Sequence, residues 1–185
     1  DLHLNPWDYD INNPEFENDR PTYELLASGK TNGVFQVESA GMKDLLIRLK
    51  PKLEQLDFEV ISVVLALYRP DSMGALDEYV EMATGGSRPS SIHPDMDEIL
   101  KDTNYCMIYQ EQLLDIVKKF GGRTYGGADL FRKAIGKKIV ELVQKESEIL
   151  RSEIVANGYS KDIADKIADE LSKKGGYLFN KSHSY

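Results

Sequence analysis

Apolar residues recur along this chain at the three-and-four spacing of an α-helix, in segment after segment, with short polar or glycine-rich breaks between them. Leu45, Leu46 and Leu49 share one face of a segment that Ser39 can cap and that Pro51 follows. Residues 56–68 are the most apolar segment, and Arg69-Pro70 then forces extended geometry. An amphipathic stretch over 76–83 stops at Gly85-Gly86. After the loop SRPSSIHP, Pro94 fits the first turn of a helix through Lys101. Leu113, Leu114 and Val117 point inward from a helix over 110–120. Further helices are predicted over 128–135, over 139–156 with Gly158 beyond, and from Ser160 to Gly175-Gly176, with Ile163, Ile167, Ala168 and Leu171 in register. Thr22 reads as the cap of a short helix to Ser28, ended by Gly29. Only residues 33–37 (GVFQV) and 106–108 give strand signals. The pattern predicts about eight helices and a mainly α fold with at most a few short β segments.

Composition narrows the picture. With 185 residues, 41% of them hydrophobic, there is room for one core and a smaller satellite. A net charge of −8 argues against a generic nucleic-acid-coating protein, so any contact with nucleic acid or nucleotide has to be local. The lone Cys106 rules out an internal disulfide and fits a reducing cytoplasm. No apolar run approaches the length of a membrane span, and no signal peptide is visible. Residues 1–20 are rich in Asn, Pro and acids; they read as an irregular acidic arm, anchored by Trp7 and Phe16, ahead of a helical domain over 21–185. A start at Asp1 and a stop at Tyr185, directly after the polar string FNKSHS, read as the ends of a piece cut from a longer protein.

Charge is unevenly placed. Between Lys118 and Lys138 stand Lys118, Lys119, Arg123, Arg132, Lys133, Lys137 and Lys138 against the single acid Asp129. On a helix through this block, Leu130, Phe131, Ala134 and Ile135 fall to one side and Asp129, Lys133 and Lys137 to the other, with Arg132 beside them. A glycine-rich turn feeding a helix with a cationic flank suits phosphate, because backbone N–H groups and fixed charges converge on the oxygens. The same pattern also describes a solvated basic face whose glycines only turn the chain. Neither GxxxxGK[ST] nor GxGxxG is present. At the other end, FNKSHS gathers an amide, an ammonium, hydroxyls and an imidazole; it reads as a polar site or as an exposed terminus. Arg69 at the end of the core helix and Glu111 at the start of another are both explained by the helix dipole. His3, His93 and His183 have no metal-ligand spacing with one another or with Cys106, and no catalytic carboxylate set or nucleophile pattern emerges.

Five strings, TNGVFQVESAGMKDLLIRLKP, LDFEVISVVLALYRP, MIYQEQLLDIVKKFGG, YGGADLFRKAIGKK and YLFNKSHS, resemble in order and spacing the fingers region of the bacterial replicative DNA polymerase III α-subunit, a C-family polymerase. The resemblance covers about residues 22–185. It implies a fragment of a DNA-directed DNA polymerase whose metal-binding aspartates lie in a palm outside this chain, with two Mg2+ expected there and none here. It also implies contact with the triphosphate of an incoming dNTP and with primer-template DNA, and no activity of the fragment alone. Arg132 and Lys133 stand where the family has paired basic residues, and Lys137 and Lys138 match its closing lysines. Asn180, Lys181 and His183 match its FNKSHS cluster. Triphosphate contact is thus expected at Arg132, Lys133, Lys137, Asn180, Lys181 and His183, with Arg69, Arg123 and Lys138 as further DNA or nucleotide contacts. A sliding clamp and other replisome subunits would bind regions outside this chain, in the cytoplasm and away from any membrane. The family usually has two arginines where Arg132-Lys133 stands, and YRPGP where this chain has Tyr68-Arg69-Pro70-Asp71-Ser72. These departures point to a divergent or phage-encoded member. The alternative from another class is a stand-alone acidic helical interaction module.

Overall fold

The computed structural model describes residues 19–88 and 90–185. The acidic arm, with its anchors Trp7 and Phe16, lies outside the described residues except for Asp19 and Arg20. Among the described residues the fold is mainly α, as the apolar periodicity predicts: α1 (Arg20–Ala27), α2 (Ala40–Arg48), α3 (Lys50–Leu53), α4 (Phe58–Leu67), α5 (Met73–Ala83), α6 (Pro94–Leu100), α7 (Gln110–Gly121), α8 (Tyr125–Gly136), α9 (Val140–Ala156), α10 (Lys161–Lys174) and α11 (Lys181–Ser184). Short 3₁₀ turns occupy Pro70–Ser72, Lys101–Thr103 and Gly175–Tyr177.

Several boundaries differ from expectation, each for a local reason. α1 begins at Arg20, because Pro21 fits its first turn and Asp19 takes the N-cap position, its carbonyl accepting from the Thr22 amide at 3.1 Å; the Thr22 hydroxyl donates to the Asp19 carboxylate at 2.6 Å and does not itself cap. Pro51 lies beyond the end of α2, as expected, and also sits in the first turn of a further short helix, α3. Residues 33–37 are a closed turn and not a strand: Gly33 and Gln36 have left-handed backbones, and the Thr31 hydroxyl donates to the Val37 carbonyl. The expected strand at 106–108 shrinks to one parallel bridge, Tyr109 with Phe179.

Two apolar clusters of comparable extent replace the expected core and satellite. The first gathers α1 to α5 with Ile108 and Tyr109; Leu46, Leu49, Val63 and Tyr79 are fully buried in it. In the second, α7 to α10 pack around Leu113, Phe120, Phe131, Leu150 and Ile167. Burying one such side chain contributes about 1.5–3 kcal/mol. The lobes meet where Phe179 donates its amide to the Ile108 carbonyl (2.9 Å) and its carbonyl accepts from the Gln110 amide (2.8 Å). Lys174 of α10 also reaches Glu78 of α5 at 2.8 Å. α11 closes back onto α4 of the first lobe.

Candidate functional site

α8 is capped by Thr124, whose hydroxyl accepts from the Gly127 amide at 3.2 Å. Gly126 and Gly127 are therefore in the first turn of the helix, and only Gly121-Gly122 turns the chain. Gly122 ends α7 with φ +69, and a Cβ there would lie 2.6 Å from the amide nitrogen of Asn157, which is needed to bond the Phe120 carbonyl. Ala128, Phe131, Ala134 and Ile135 are buried. Leu130 is not: rotated about 100° from Phe131, it is 65% exposed.

The opposite face carries the cations. The Asp129 carboxylate accepts from Arg132 Nε at 2.8 Å and pairs with Lys133 Nζ at 2.8 Å. Lys133 and Arg132 together hold that carboxyl below the usual carboxylate range. Lys137 is exposed and has no carboxylate partner among the described residues. Lys138, with φ +54, closes the helix and lies over the Tyr177 ring, 5.2 Å from its centroid.

The rest of the basic island disperses in space. Lys119 pairs with Asp95 at 3.3 Å and Lys118 lies over the Tyr125 ring. Arg123 is only 12% exposed and is spent inside the lobe, on Glu153 at 2.7 Å and Glu146 at 3.2 Å. Its guanidinium ties the start of α8 to α9 instead of facing outward. Arg69 is committed as well: Nε bonds the Ala66 carbonyl (2.8 Å), a terminal nitrogen bonds the Tyr177 carbonyl (2.9 Å), and the guanidinium stacks on Phe179, 4.7 Å from its centroid.

The second part of the site is the tail from Phe179 onward. Asn180 caps α11, accepting from the His183 amide at 3.1 Å, and its own amide nitrogen donates to Glu111 Oε1 at 2.9 Å. The Lys181 amide donates to Glu111 Oε2 at 3.0 Å, while its ammonium lies 3.3 Å from Glu59 and near the Tyr109 and Tyr185 rings. His183 is exposed and packs on Phe179. Ser184 bonds Ser62, which also bonds the buried Tyr109 hydroxyl, both at 2.8 Å. Burial raises the Tyr109 phenol well above its ordinary range, so it is neutral and serves as a hydrogen-bonding strut. Tyr185 donates to Glu59 at 2.6 Å, leaving Glu59 Oε1 buried without a donor.

The Gly175–Tyr177 turn joins the two parts. It packs on α8, and a Cβ on Gly175 would lie 2.9 Å from Ile135 Cγ2. Tyr177 presents its ring to Lys138 and its carbonyl to Arg69. Glu111, Glu59, Ser62 and Tyr109 shape the tail; none was expected as a site residue, and of the four only Glu111 drew notice in the sequence, where the helix dipole accounts for it. Among the described residues no three His, Cys, Asp or Glu side chains are placed to hold a metal ion, and no helix is long and apolar enough to cross a membrane.

Comparison with known proteins follows the same lines. A family model described as the bacterial DNA polymerase III alpha subunit finger domain matches residues 7–158. The DNA polymerase III subunit alpha of Halalkalibacterium halodurans is 40% identical over 167 residues, 90% of this chain and 15% of that protein. Its counterpart in Aquifex aeolicus is 40% identical over 178 residues, 95% of this chain and 15% of that protein. That of Pseudomonas aeruginosa is 39% identical over 173 residues, 90% of this chain and 14% of that protein. The chain therefore spans about 15% of the length of the curated relatives it matches.

Proposed function

Because the chain belongs to the bacterial DNA polymerase III alpha subunit finger domain family, we propose that it supplies the fingers of a DNA-directed DNA polymerase and faces the incoming dNTP and the primer-template. The observation that carries this reading is the cationic side of α8, where Arg132 and Lys133 flank Asp129 and Lys137 follows at the helix end, inside the matched region. Nucleotidyl transfer depends on positioning and on neutralising charge that spreads over phosphate oxygens. Arg132 offers a planar fork of donors and Lys133 a point charge. Asp129 holds both in a fixed arrangement on the helix surface, and a triphosphate would displace this single half-buried carboxylate from them. Asn180, Lys181 and His183 line the same reading through the tail, joined to α8 by the Gly175–Tyr177 turn.

The described residues do not provide a ligand set for the two Mg2+ ions of such an enzyme, so this reading assigns them to palm carboxylates outside this chain. Held there, they would supply Lewis-acid activation of the attacking hydroxyl and neutralisation of phosphate charge. The reading further places the clamp and replisome contacts in other regions, the polymerase in the cytoplasm, and no activity in this chain alone. Arg123 and Arg69 act as struts in it, and Lys138 fixes the end of α8.

Arg132→Ala in the full-length polymerase tests the assignment. It is expected to lower kcat/KM for every dNTP about a hundredfold. An unchanged value removes Arg132 from the nucleotide site.

A further inference from the structure

The string Tyr109-Gln110-Glu111-Gln112 has no part in the contacts assigned above, yet all four residues hold something. The Tyr109 hydroxyl reaches Ser62, which holds Ser184. The Gln110 amide bonds the Phe179 carbonyl. Gln112 turns its side-chain oxygen back onto the amides of Ile108 (2.8 Å) and Tyr109 (2.9 Å), fixing the entry to α7. Glu111 projects from that fixed entry and spends both carboxylate oxygens on the tail: Oε1 on Asn180 Nδ2 (2.9 Å) and Oε2 on the Lys181 amide (3.0 Å).

We propose that Glu111 is a positioning residue for nucleotide binding: its carboxylate sets the orientation of the Asn180 amide and the start of α11, and thereby aims Asn180, Lys181 and His183. This rests on the nucleotide-facing reading of the tail given above. The chemistry explains why a carboxylate is required. An ionised carboxylate only accepts hydrogen bonds, so it forces the nitrogen of the Asn180 amide toward itself and leaves the amide oxygen for the His183 N–H at 3.1 Å. A glutamine in the same place would turn one donor against another, at Asn180 or at the Lys181 amide. The helix dipole explains why an acid is tolerated in the first turn of α7. It does not explain why both oxygens bond residues 69 and 70 positions away.

The test uses full-length polymerase carrying Glu111→Gln, Asn180→Ala, both together, or Arg132→Ala. Glu111→Gln is expected to lower kcat/KM for dNTP about tenfold to a hundredfold, chiefly through a raised KM. The melting temperature and the Kd for primer-template should stay at the wild-type values. The double variant should be no more than about twofold worse than Asn180→Ala, since the two residues act in series, and Glu111→Asp should recover part of the loss. Unchanged kinetics for Glu111→Gln, with the loss still present in Arg132→Ala, overturns the positioning role alone. Full additivity in the double variant, or parallel losses of melting temperature and primer-template affinity, overturns it too. No loss in either Arg132→Ala or Glu111→Gln overturns the nucleotide-facing reading beneath it.

Discussion

On α8, Arg132 and Lys133 meet Asp129 three and four residues away, whereas Asn180 and Lys181 meet Glu111 at sequence separations of 69 and 70. Both regions present cations held by a carboxylate, and the tail adds amide donors. On α8 a single helix suffices to line them up, because residues three and four apart share a face. In the tail the same result needs α4, α7 and the inter-lobe bridge to be in place first. A helix of twelve residues with a buried face tolerates change on its outer face. A four-residue helix has almost no stability of its own and inherits its shape from what holds it.

Three experiments break or sharpen this contrast. The largest effect is expected at Gly175, where both regions rest. In Gly175→Ala the new Cβ would lie 2.9 Å from Ile135 Cγ2 and 3.1 Å from Leu113 Cδ1, both buried. Such overpacking costs about 1–3 kcal/mol, read as a lower urea midpoint; an unchanged midpoint would show that the turn has slack and that the two regions are not mechanically joined.

A smaller effect is expected from Tyr109→Phe, which removes the hydroxyl bonded to Ser62 and costs about 1 kcal/mol. Cys106 reports it. Burial pushes the Cys106 thiol up to about 12, so at pH 8 the folded protein holds it protonated while an opened segment, with an ordinary thiol pKa, labels readily. Labelling by iodoacetamide should be slow in the parent chain and about fivefold faster in Tyr109→Phe.

The smallest effect belongs to Asp129→Asn, which should leave the urea midpoint and the Cys106 labelling rate unchanged; an acceleration equal to that of Tyr109→Phe would abolish the distinction between local and long-range construction. Its pH signature has a definite sign. The folded carboxyl titrates below its unfolded value, so its contribution to α8 is present above the ordinary carboxylate range and is lost as pH falls through the lowered value. Protection of the α8 amides, taken relative to their intrinsic exchange rates, should therefore weaken only as pH falls below the ordinary carboxylate range, and Asp129→Asn should remove that pH dependence.

Legibility in the sequence follows the same division. The helices, their inward faces and the caps at Ser39 and Ser160 can be read because the signals lie within one or two turns. The glycine block misleads, since Gly126-Gly127 looks like a turn until Thr124 is recognised as a cap two residues earlier. Residues 33–37 give a brief strand signal, but a left-handed Gln36 and the Thr31 hydroxyl curl them up. The α8 stripe of Asp129, Lys133 and Lys137 follows from helical spacing alone. That Arg123 and Arg69 are tied up within the protein does not, because their partners, Glu146, Glu153 and the Tyr177 carbonyl, are brought to them only by tertiary packing. Glu111 is obscured by a sufficient local explanation, the helix dipole, that conceals a distant one.

The bridge between Tyr109 and Phe179 also imposes an order of events. During synthesis Glu111 emerges 70 residues before the Lys181 amide that it receives, and Glu59 emerges 126 residues before Tyr185. At translation rates of about 5–20 residues per second, the first gap lasts several seconds. Throughout it the Ile108 carbonyl and the Gln110 amide lack the Phe179 partner they have in the folded chain and are open to an extended segment of another chain. The tail is thus a late-arriving cover as well as a bearer of side chains, and a nascent chain that loses it exposes a template for pairing with its neighbours.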